Sequence, residues 1–340
     1  MSSETLAFVY NRRRVSDPKD PRFHLEADYD DVKTIESIRD HLEHLGYTVL
    51  PIEADERAYV RLFQQREEID LVFNYSLGMY GSSGYAQLPA MMEMLRLPYT
   101  GSSPLTQASI MNKGRLKEIL RANGLPTTDG QVMHKAADKL KPGLEFPLIV
   151  KPVARGSSAG INNNSVVHNT EELRRQVTYV MKLFDEPALV EPFLSGREFS
   201  VPLVGNPPRM LPVIEPNFKK LPKRFNALDS LEIKWVFEEA GEGEDHLQCP
   251  APIDTKIQKR LEEICFGVWE VLEIRDWCRM DVRANGSELY VLDVNSPPGM
   301  IPPEVSLTSY LPLSARAAGM DYEELLRLII GAAKKRYGIK

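Results

Sequence analysis

Asp281, Asp293 and Asn295 are the side chains best placed to do chemistry together. They fall within residues 279–300, RMDVRANGSELYVLDVNSPPGM, which alternate as two short strands around a polar turn at 284–288. Alternation sends Met280 and Val282 to one face and Arg279, Asp281 and Arg283 to the other. The return strand, 289–294, delivers Asp293 and then Asn295, so three hard oxygen donors converge. Such donors suit Mg2+, which keeps a few carboxylates and takes its other ligands from phosphates and water. Arg279 stands two residues before the first donor, where a guanidinium would stabilise an oxyanion. Pro297, Pro298 and Gly299 end the strand abruptly and are able to aim backbone N–H groups, that of Gly299 among them, into a site. Taken alone, the same residues equally describe an exposed hairpin with surface charges.

A second group lies upstream. The strand EFPLIVKP at 145–152 puts Lys151 at its end, and ARGSSAGI at 154–161 follows. Small residues leave a phosphate unobstructed, and the loop offers N–H donors and the hydroxyls of Ser157 and Ser158. A flexible glycine loop explains the same composition, but the adjacent lysine favours phosphate. Glu191 and Glu198 flank Ser195 and Gly196 between two strands. They would hold adenine and ribose or stand exposed, and the residues alone do not choose. NYSLGMYGSSGY at 74–85 closes a third strand with three glycines, without a GxGxxG or Walker pattern. Arg12, Arg13 and Arg14 would hold a carboxylate or phosphate, although a solvated loop accounts for them more economically.

The elements that must position these groups follow from periodicity. Residues 6–10, 48–52 and 69–73 read as strands, and Val32, Ile35, Ile38 and Leu42 mark a helix stopped by Gly46. This β-α-β-α-β order implies a parallel sheet with right-handed crossovers, which binds ligands at its carboxyl end. A methionine-rich helix at 86–95 uses its methionines as core filler, and a turn at 98–104 marks a domain boundary. One helix spans 106–123. Asn169 and Glu172 make a capping box for a helix ending near Phe184. Residues 188–201 read as two strands and 209–215 as another. Residues 217–248 are irregular, basic then acidic, in the manner of a lid. A long helix from Asp254 presents Ile257, Leu261, Ile264, Val268 and Leu272 on one face, and a last helix runs from Asp321 to about Lys335.

The 340 residues, 43% hydrophobic and 26% charged, suit a globular enzyme of two or three domains. A net charge of −6 argues against a general nucleic-acid binder. No apolar run long enough for a membrane span and no signal peptide are evident, so the expected location is cytoplasmic. Cys249, Cys265 and Cys278 lack paired spacing and are expected as reduced thiols. The six histidines form no HExxH or similar pattern.

Four motifs in order, FPLIVKP at 146–152, GSSAGI at 156–161, LVEPFLSGREF at 189–199 and RMD to NSPPGM at 279–300, resemble the ATP-grasp superfamily. Within it the chain resembles the D-alanine–D-alanine ligase family over about residues 70–330. The resemblance implies an α/β ATP-grasp fold: an N-terminal Rossmann-like parallel-sheet domain at 1–105, then two α+β subdomains, 106–195 and 196–340, that sandwich ATP. The second would carry the lid at about 217–248. The resemblance also implies roles. Lys113 and Lys151 bind ATP, Ser157 and Ser158 cover its phosphates, and Ser157 assists catalysis. Glu191 and Leu194 hold adenine, Glu198 the ribose, and Lys234 reaches phosphate from the lid. Asp281, Asp293 and Asn295 hold Mg2+, or Mn2+ in its place. Arg279 and the Gly299 N–H stabilise a tetrahedral intermediate, and Ser309 aligns with the binder of the second substrate's carboxylate. The implied partners are a small carboxylate and an amine, amino acids by family habit, with no nucleic acid or membrane partner, in a homodimer.

Departures from the family pattern concern the substrate. YNRRRVS at 10–16 lacks the glutamate that holds the first amino acid's ammonium, for which Glu26 or Asp28 are stand-ins. SLGMYGSSG at 76–84 lacks both acids of the corresponding family loop. The lid's Lys-Tyr pair is Lys234-Trp235, the lysine beside the adenine hinge is Pro192, and one metal-ligand glutamate is Asp293. Extra sequence at 301–307 precedes Ser309. The expectation is an ATP-dependent carboxylate–amine ligase with an altered substrate pocket. An authentic D-alanine–D-alanine ligase and a catalytically silent nucleotide-binding protein are the alternatives.

Overall fold

A computed structural model describes residues 4–17, 20–220, 226–228, 230 and 246–339. β1 (Thr5–Tyr10), β2 (Thr48–Glu53) and β3 (Leu71–Tyr75) form the expected parallel sheet, in the order β2-β1-β3. Alternation along β1 divides its side chains. Leu6 and Phe8 pack with α1 (Val32–His44), while Ala7 and Val9 pack with α2 (Ala58–Gln65) and α3 (Gln87–Leu95). β3 starts two residues later than the sequence suggests, so Asn74 and Tyr75 belong to the strand and the glycine loop begins at Ser76. The methionine reading holds in part: Met92 is buried, but Met94 is 71% exposed.

The single helix expected at 106–123 is two helices, α4 (Pro104–Met111) and α5 (Lys113–Ala122). Asn112 breaks them apart with an extended backbone, and its side chain caps α5 by accepting the Arg115 N–H. The break fixes Lys113 in the first turn of α5 and sets Lys117 one turn further along the same face.

The central sheet contains β4 (Gln131–Met133), β5 (Leu148–Pro152), β6 (Val166–Val167) and β7 (Ala188–Pro192), ordered β4-β7-β5-β6 and antiparallel. α6 (Thr170–Phe184) covers it through Leu173, Val177 and Val180. Asn169 caps α6 by accepting the Glu172 N–H. The Glu172 carboxylate reaches back to the His168 N–H, so the return half of the capping box is displaced by one residue.

β8 (Glu198–Val204) follows closely on β7 but joins a different sheet. These strands are therefore not a hairpin; the chain crosses between sheets at 193–197, with Glu191 before the crossing and Glu198 after it. The strand expected at 209–215 is two short ones, β9 (Arg209–Met210) and β10 (Glu215–Pro216), and β10 pairs with β11 (Leu247–Gln248). α7 (Thr255–Val271) follows, and then β12 (Trp277–Asn285) and β13 (Glu288–Asn295) complete the sheet β13-β12-β8-β9. Leu261, Ile264 and Val268 of α7 pack on Met280, Val282 and Val291 of that sheet. Burying each such side chain stabilises the fold by about 1.5–3 kcal/mol.

α8 (Tyr310–Ala317) and α9 (Tyr322–Tyr337) return to the first sheet, where Leu311, Leu325 and Ile329 join Leu6, Phe8 and Ile38. All three cysteines are unpaired. Lys234 and most of the lid at 217–248 lie outside the described residues. Among those described, no helix is long and apolar enough to cross a membrane.

Candidate active site between the central and C-terminal sheets

The hairpin register sets Asp281 opposite Asp293 and Arg279 opposite Asn295. Met280 and Val282 are fully buried on the other face, as alternation requires. Ser200, paired with Asp281 across β8 and β12, donates its hydroxyl to Asp281 Oδ1 at 2.6 Å. Asn295 Nδ2 donates to Asp281 Oδ2 at 3.1 Å. Arg279 grips the same carboxylate with two bonds of 3.0 and 2.9 Å, and its guanidinium lies 5.1 Å above the Tyr310 ring. Lys113 reaches Asp293 Oδ2 at 3.0 Å and donates to the Arg155 carbonyl at 2.7 Å. Both carboxylates thus face a protein cation. Two carboxylates and an amide carbonyl are hard oxygen donors, and the set fits Mg2+.

The lysines form the other wall. Glu191 is 1% exposed, and Lys151 pairs with its Oε1 while Lys117 pairs with Oε2 at 2.7 Å. The Thr128 hydroxyl also donates to Glu191. Lys117 donates to Thr128 at 2.7 Å and Thr127 at 3.2 Å. Burial alone would raise the Glu191 pKa, but the Lys117 and Lys151 ammoniums overcome it and hold the carboxyl at about 2. Burial pulls Lys117 down to about 8. Burial works against the charge on Lys151 too, yet Glu191 and Asp293 raise its pKa. Two buried ammoniums therefore share one carboxylate, a surplus of positive charge that suits an anionic ligand. Lys117 has no role in the sequence reading; its signal is the four-residue spacing from Lys113.

Lys151, Ser158, Glu191, Leu194, Glu198, Asp281 and Asp293 line one pocket. Glu198 accepts from Arg283 at 2.6 Å. Arg283 is 2% exposed, lies over the rings of Phe193 and Phe218 and donates to the Ala227 carbonyl at 2.5 Å. The sequence places Arg283 on the polar face of its strand without revealing this buried pairing. A larger groove of about 700 Å3, lined by Glu93, Arg96, Tyr99, Arg275 and Arg336 among others, shares no residue with the pocket.

The loop after Lys151 is held in a demanding conformation. Ser157 and Ser158 have φ of 43° and 57°, left-handed values that cost on the order of 1 kcal/mol each for a residue with a Cβ. The Gly156 N–H donates to Asp28 Oδ2 at 3.1 Å, and the Tyr85 hydroxyl donates to the same oxygen at 3.0 Å. A Cβ at Gly156 would stand 2.5 Å from Asp28 Oδ1. Asp28 thus anchors this loop, whereas Glu26 is engaged by the N–H groups of Arg14 and Val15 at 2.6 and 3.0 Å. Arg12 and Arg14 are exposed, Arg14 pairs with Glu53, and Arg13 lies 5.1 Å over the Phe23 ring. The arginine run is a surface loop, not an anion cradle.

Gly299 is exposed with open space at its α-carbon, and the next residue, Met300, donates its N–H to the Tyr75 hydroxyl at 3.0 Å. Ser309 Oγ accepts the Ile301 N–H at 3.0 Å, closing the segment between them. Arg279 and Asn295 join the pocket through Asp281, Lys113 joins it through Asp293, and Ser157 neighbours it through Ser158.

A family profile described as "D-ala D-ala ligase C-terminus" matches residues 119–331, more than half of the chain. A D-alanine–D-alanine ligase of Aquifex aeolicus is 31% identical over 301 residues, covering 88% of this chain and 94% of its own. One from Desulforudis audaxviator is 30% identical over 302 residues, covering 87% and 90%. An uncharacterised protein, y4sG, of Sinorhizobium fredii is 31% identical over 269 residues, covering 78% and 75%. The crystal structure of a D-alanine–D-alanine ligase from Bacillus anthracis complexed with ATP superposes with a TM-score of 0.71 at 23% identity, covering 99% of each chain.

Proposed function

The chain belongs to the D-alanine–D-alanine ligase family, and from that premise we propose an ATP-dependent carboxylate–amine ligase whose substrate pocket departs from that of its relatives. The observation that carries the reading is the paired walls of one pocket: oxygen donors Asp281 and Asp293 on one side, Lys151 and Glu191 on the other. The Rossmann-like unit at 1–105 and the subdomains 106–195 and 196–340 belong to the same proposal, supported by three main sheets whose strands fall within those limits.

In this proposal Glu191 and Leu194 receive the adenine, Glu198 the ribose, and Lys113 and Lys151 the phosphates, with Ser157 and Ser158 above them. Asp281, Asp293 and Asn295 would hold Mg2+, or Mn2+, which neutralises charge on the phosphates. A substrate carboxylate oxygen attacks the γ-phosphorus, the bond to the β,γ-bridging oxygen breaks, and ADP leaves with an acyl phosphate formed. The amine then attacks the acyl carbon. Arg279 and the Gly299 N–H stabilise the resulting oxyanion, which collapses to the amide as inorganic phosphate leaves and the nitrogen loses a proton. Ser309 is assigned to the second substrate's carboxylate. The lid, with Lys234, shields the acyl phosphate from water. A cytoplasmic homodimer using amino-acid substrates completes the proposal; light scattering checks the dimer.

The altered pocket is supported by the engagement of Asp28 with the Gly156 loop and of Glu26 with backbone, which occupies both stand-ins for the missing ammonium-binding glutamate. An authentic D-alanine–D-alanine ligase is the second reading, favoured by the names of the relatives at 30–31% identity. The test is phosphate release from Mg-ATP over single amino acids and pairs, with mass spectrometry of products. Dipeptide formed from D-alanine alone supports the second reading. Turnover only with another acid–amine pair supports the first, and no turnover with any pair overturns both. Arg279→Ala should lower ligation by about 10²–10³-fold with nucleotide affinity retained; loss of nucleotide binding instead would refute its assigned role.

A further inference from the structure

The histidines show no ligand pattern in sequence, yet two of them meet an acid from the far end of the chain. His41 and His44 stand three residues apart on α1, hence on one face. Glu323, in the first turn of α9, places Oε1 3.3 Å from His41 Nδ1 and 3.8 Å from His44 Nδ1. One donor atom from each of the three lies within 4.8 Å of the others. Around a tetrahedral ion with bonds of about 2.0–2.1 Å, neighbouring donors are roughly 3.4 Å apart, so the spacing needs little adjustment.

The surroundings of His41 are also those of a metal ligand. Its second nitrogen, Nε2, lies 3.0 Å from Glu304 Oε1, and Glu304 accepts the Ser37 hydroxyl as well. A carboxylate on the far nitrogen fixes the tautomer and leaves the lone pair of Nδ1 directed at an ion. The Tyr322 ring lies 4.7 Å from the His41 ring and limits its rotation. Arg327 approaches the other oxygen of Glu323, Oε2, at 3.8 Å, leaving Oε1 to the histidines. The His44 side chain is 71% exposed, so an ion has access.

We propose that His41, His44 and Glu323 bind a late first-row divalent cation, Zn2+ being the best match, with Glu304 orienting His41. Two imidazoles and a carboxylate suit Zn2+ far better than Mg2+, and water completes the fourth position. No residue is shared with the Asp281–Asp293–Asn295 group. α1 and α9 already pack through Ile38, Leu42, Leu326 and Ile329. The ion clips the ends of these helices and, through Glu304, steadies the segment 301–307 that follows Gly299. Its role is structural.

The test titrates the untagged, chelator-stripped 340-residue chain with Zn2+ alone by calorimetry, and separately with Co2+, whose visible absorption reports its coordination. The expected result is one tetrahedral Co2+ site per chain, told apart by its spectrum from octahedral binding at the all-oxygen Asp281–Asp293–Asn295 group. His44→Ala should weaken binding at least tenfold and abolish that spectrum, and Glu304→Gln should weaken it about tenfold. Asp281→Asn should leave it unchanged. His44 is exposed, so its replacement tests binding without disturbing the core. Absence of a tetrahedral Co2+ site in the unmodified chain, a tetrahedral spectrum kept in His44→Ala, or that spectrum lost in Asp281→Asn each overturns the proposal.

Discussion

Asp276 and Glu191 are both buried carboxylates, and they differ in charge balance. Asp276 is fully buried and accepts the Gly101 N–H at 2.7 Å, an Asn206 amide and Arg336 at 2.7 and 3.3 Å. One cation and two neutral donors satisfy one anion, which joins the turn at 101, the turn after β8 and α9. Nothing further is needed there. Glu191 is held by two lysines, with a threonine hydroxyl between them and Lys113 nearby on Asp293. Its positive charge exceeds its negative charge, and the surplus faces a pocket. A balanced buried ion cluster is a joint, and an unbalanced one beside a cavity is prepared for a ligand of the opposite sign.

Substitution at each cluster separates stability from activity. Asp276→Ala leaves the Arg336 guanidinium half-buried and unpaired, and should lower unfolding stability by about 3–5 kcal/mol. Chemical denaturation measures that loss, while the activity of the remaining folded protein should be unchanged. Lys151→Ala removes one of two cations from Glu191, so stability should change much less. Its effect should be kinetic, a loss of about 10²–10³-fold in phosphate release. Equal stability losses at the two sites, with activity kept in both, would erase the distinction.

Acid titration gives a smaller effect. Glu191 is held at about 2 in the folded protein against an ordinary value of 4.5. A depressed carboxylate contributes stability above its unfolded pKa and loses it as pH falls through the folded one. Between pH 4.5 and 2 this group should therefore account for roughly 2–3 kcal/mol of acid destabilisation, and that part of the pH dependence should vanish in Glu191→Gln. The smallest effect expected is at Gly156→Ala, where the added methyl meets Asp28 and displaces the serine loop. A rise of about tenfold in the KM for ATP, near 1.4 kcal/mol, is expected, and unchanged steady-state kinetics would show that the tether is dispensable.

The residues that line the pocket were legible because their signals are local. Strand alternation in residues 279–295 gives the correct facing of Asp281 and Met280, and a run of small residues after Lys151 marks the loop without any tertiary information. What escaped depends on long-range geometry. Apolar spacing continues from Ile110 to Leu116, which conceals the break at Asn112 that aims Lys113 and Lys117. A short polar connection looks the same whether a chain turns back in one sheet or crosses to another, so the change of sheet between β7 and β8 was hidden. The burial of Arg283 and the meeting of His41 with Glu323, separated by 282 positions, have no signature in a local pattern.

Asp28 and Tyr85 precede the loop they hold by a long stretch of chain, and this bears on exchange between relatives. A chimaera that took its first 105 residues from another family member would keep all four motifs between residues 146 and 300. It would keep the carboxylate and phenol that fit Gly156 only where the donor carries them at the same places. The heritable unit for this loop is discontinuous, comprising positions 28, 85 and 156 together, and grafts that respect those three should work where cuts at a sheet boundary fail.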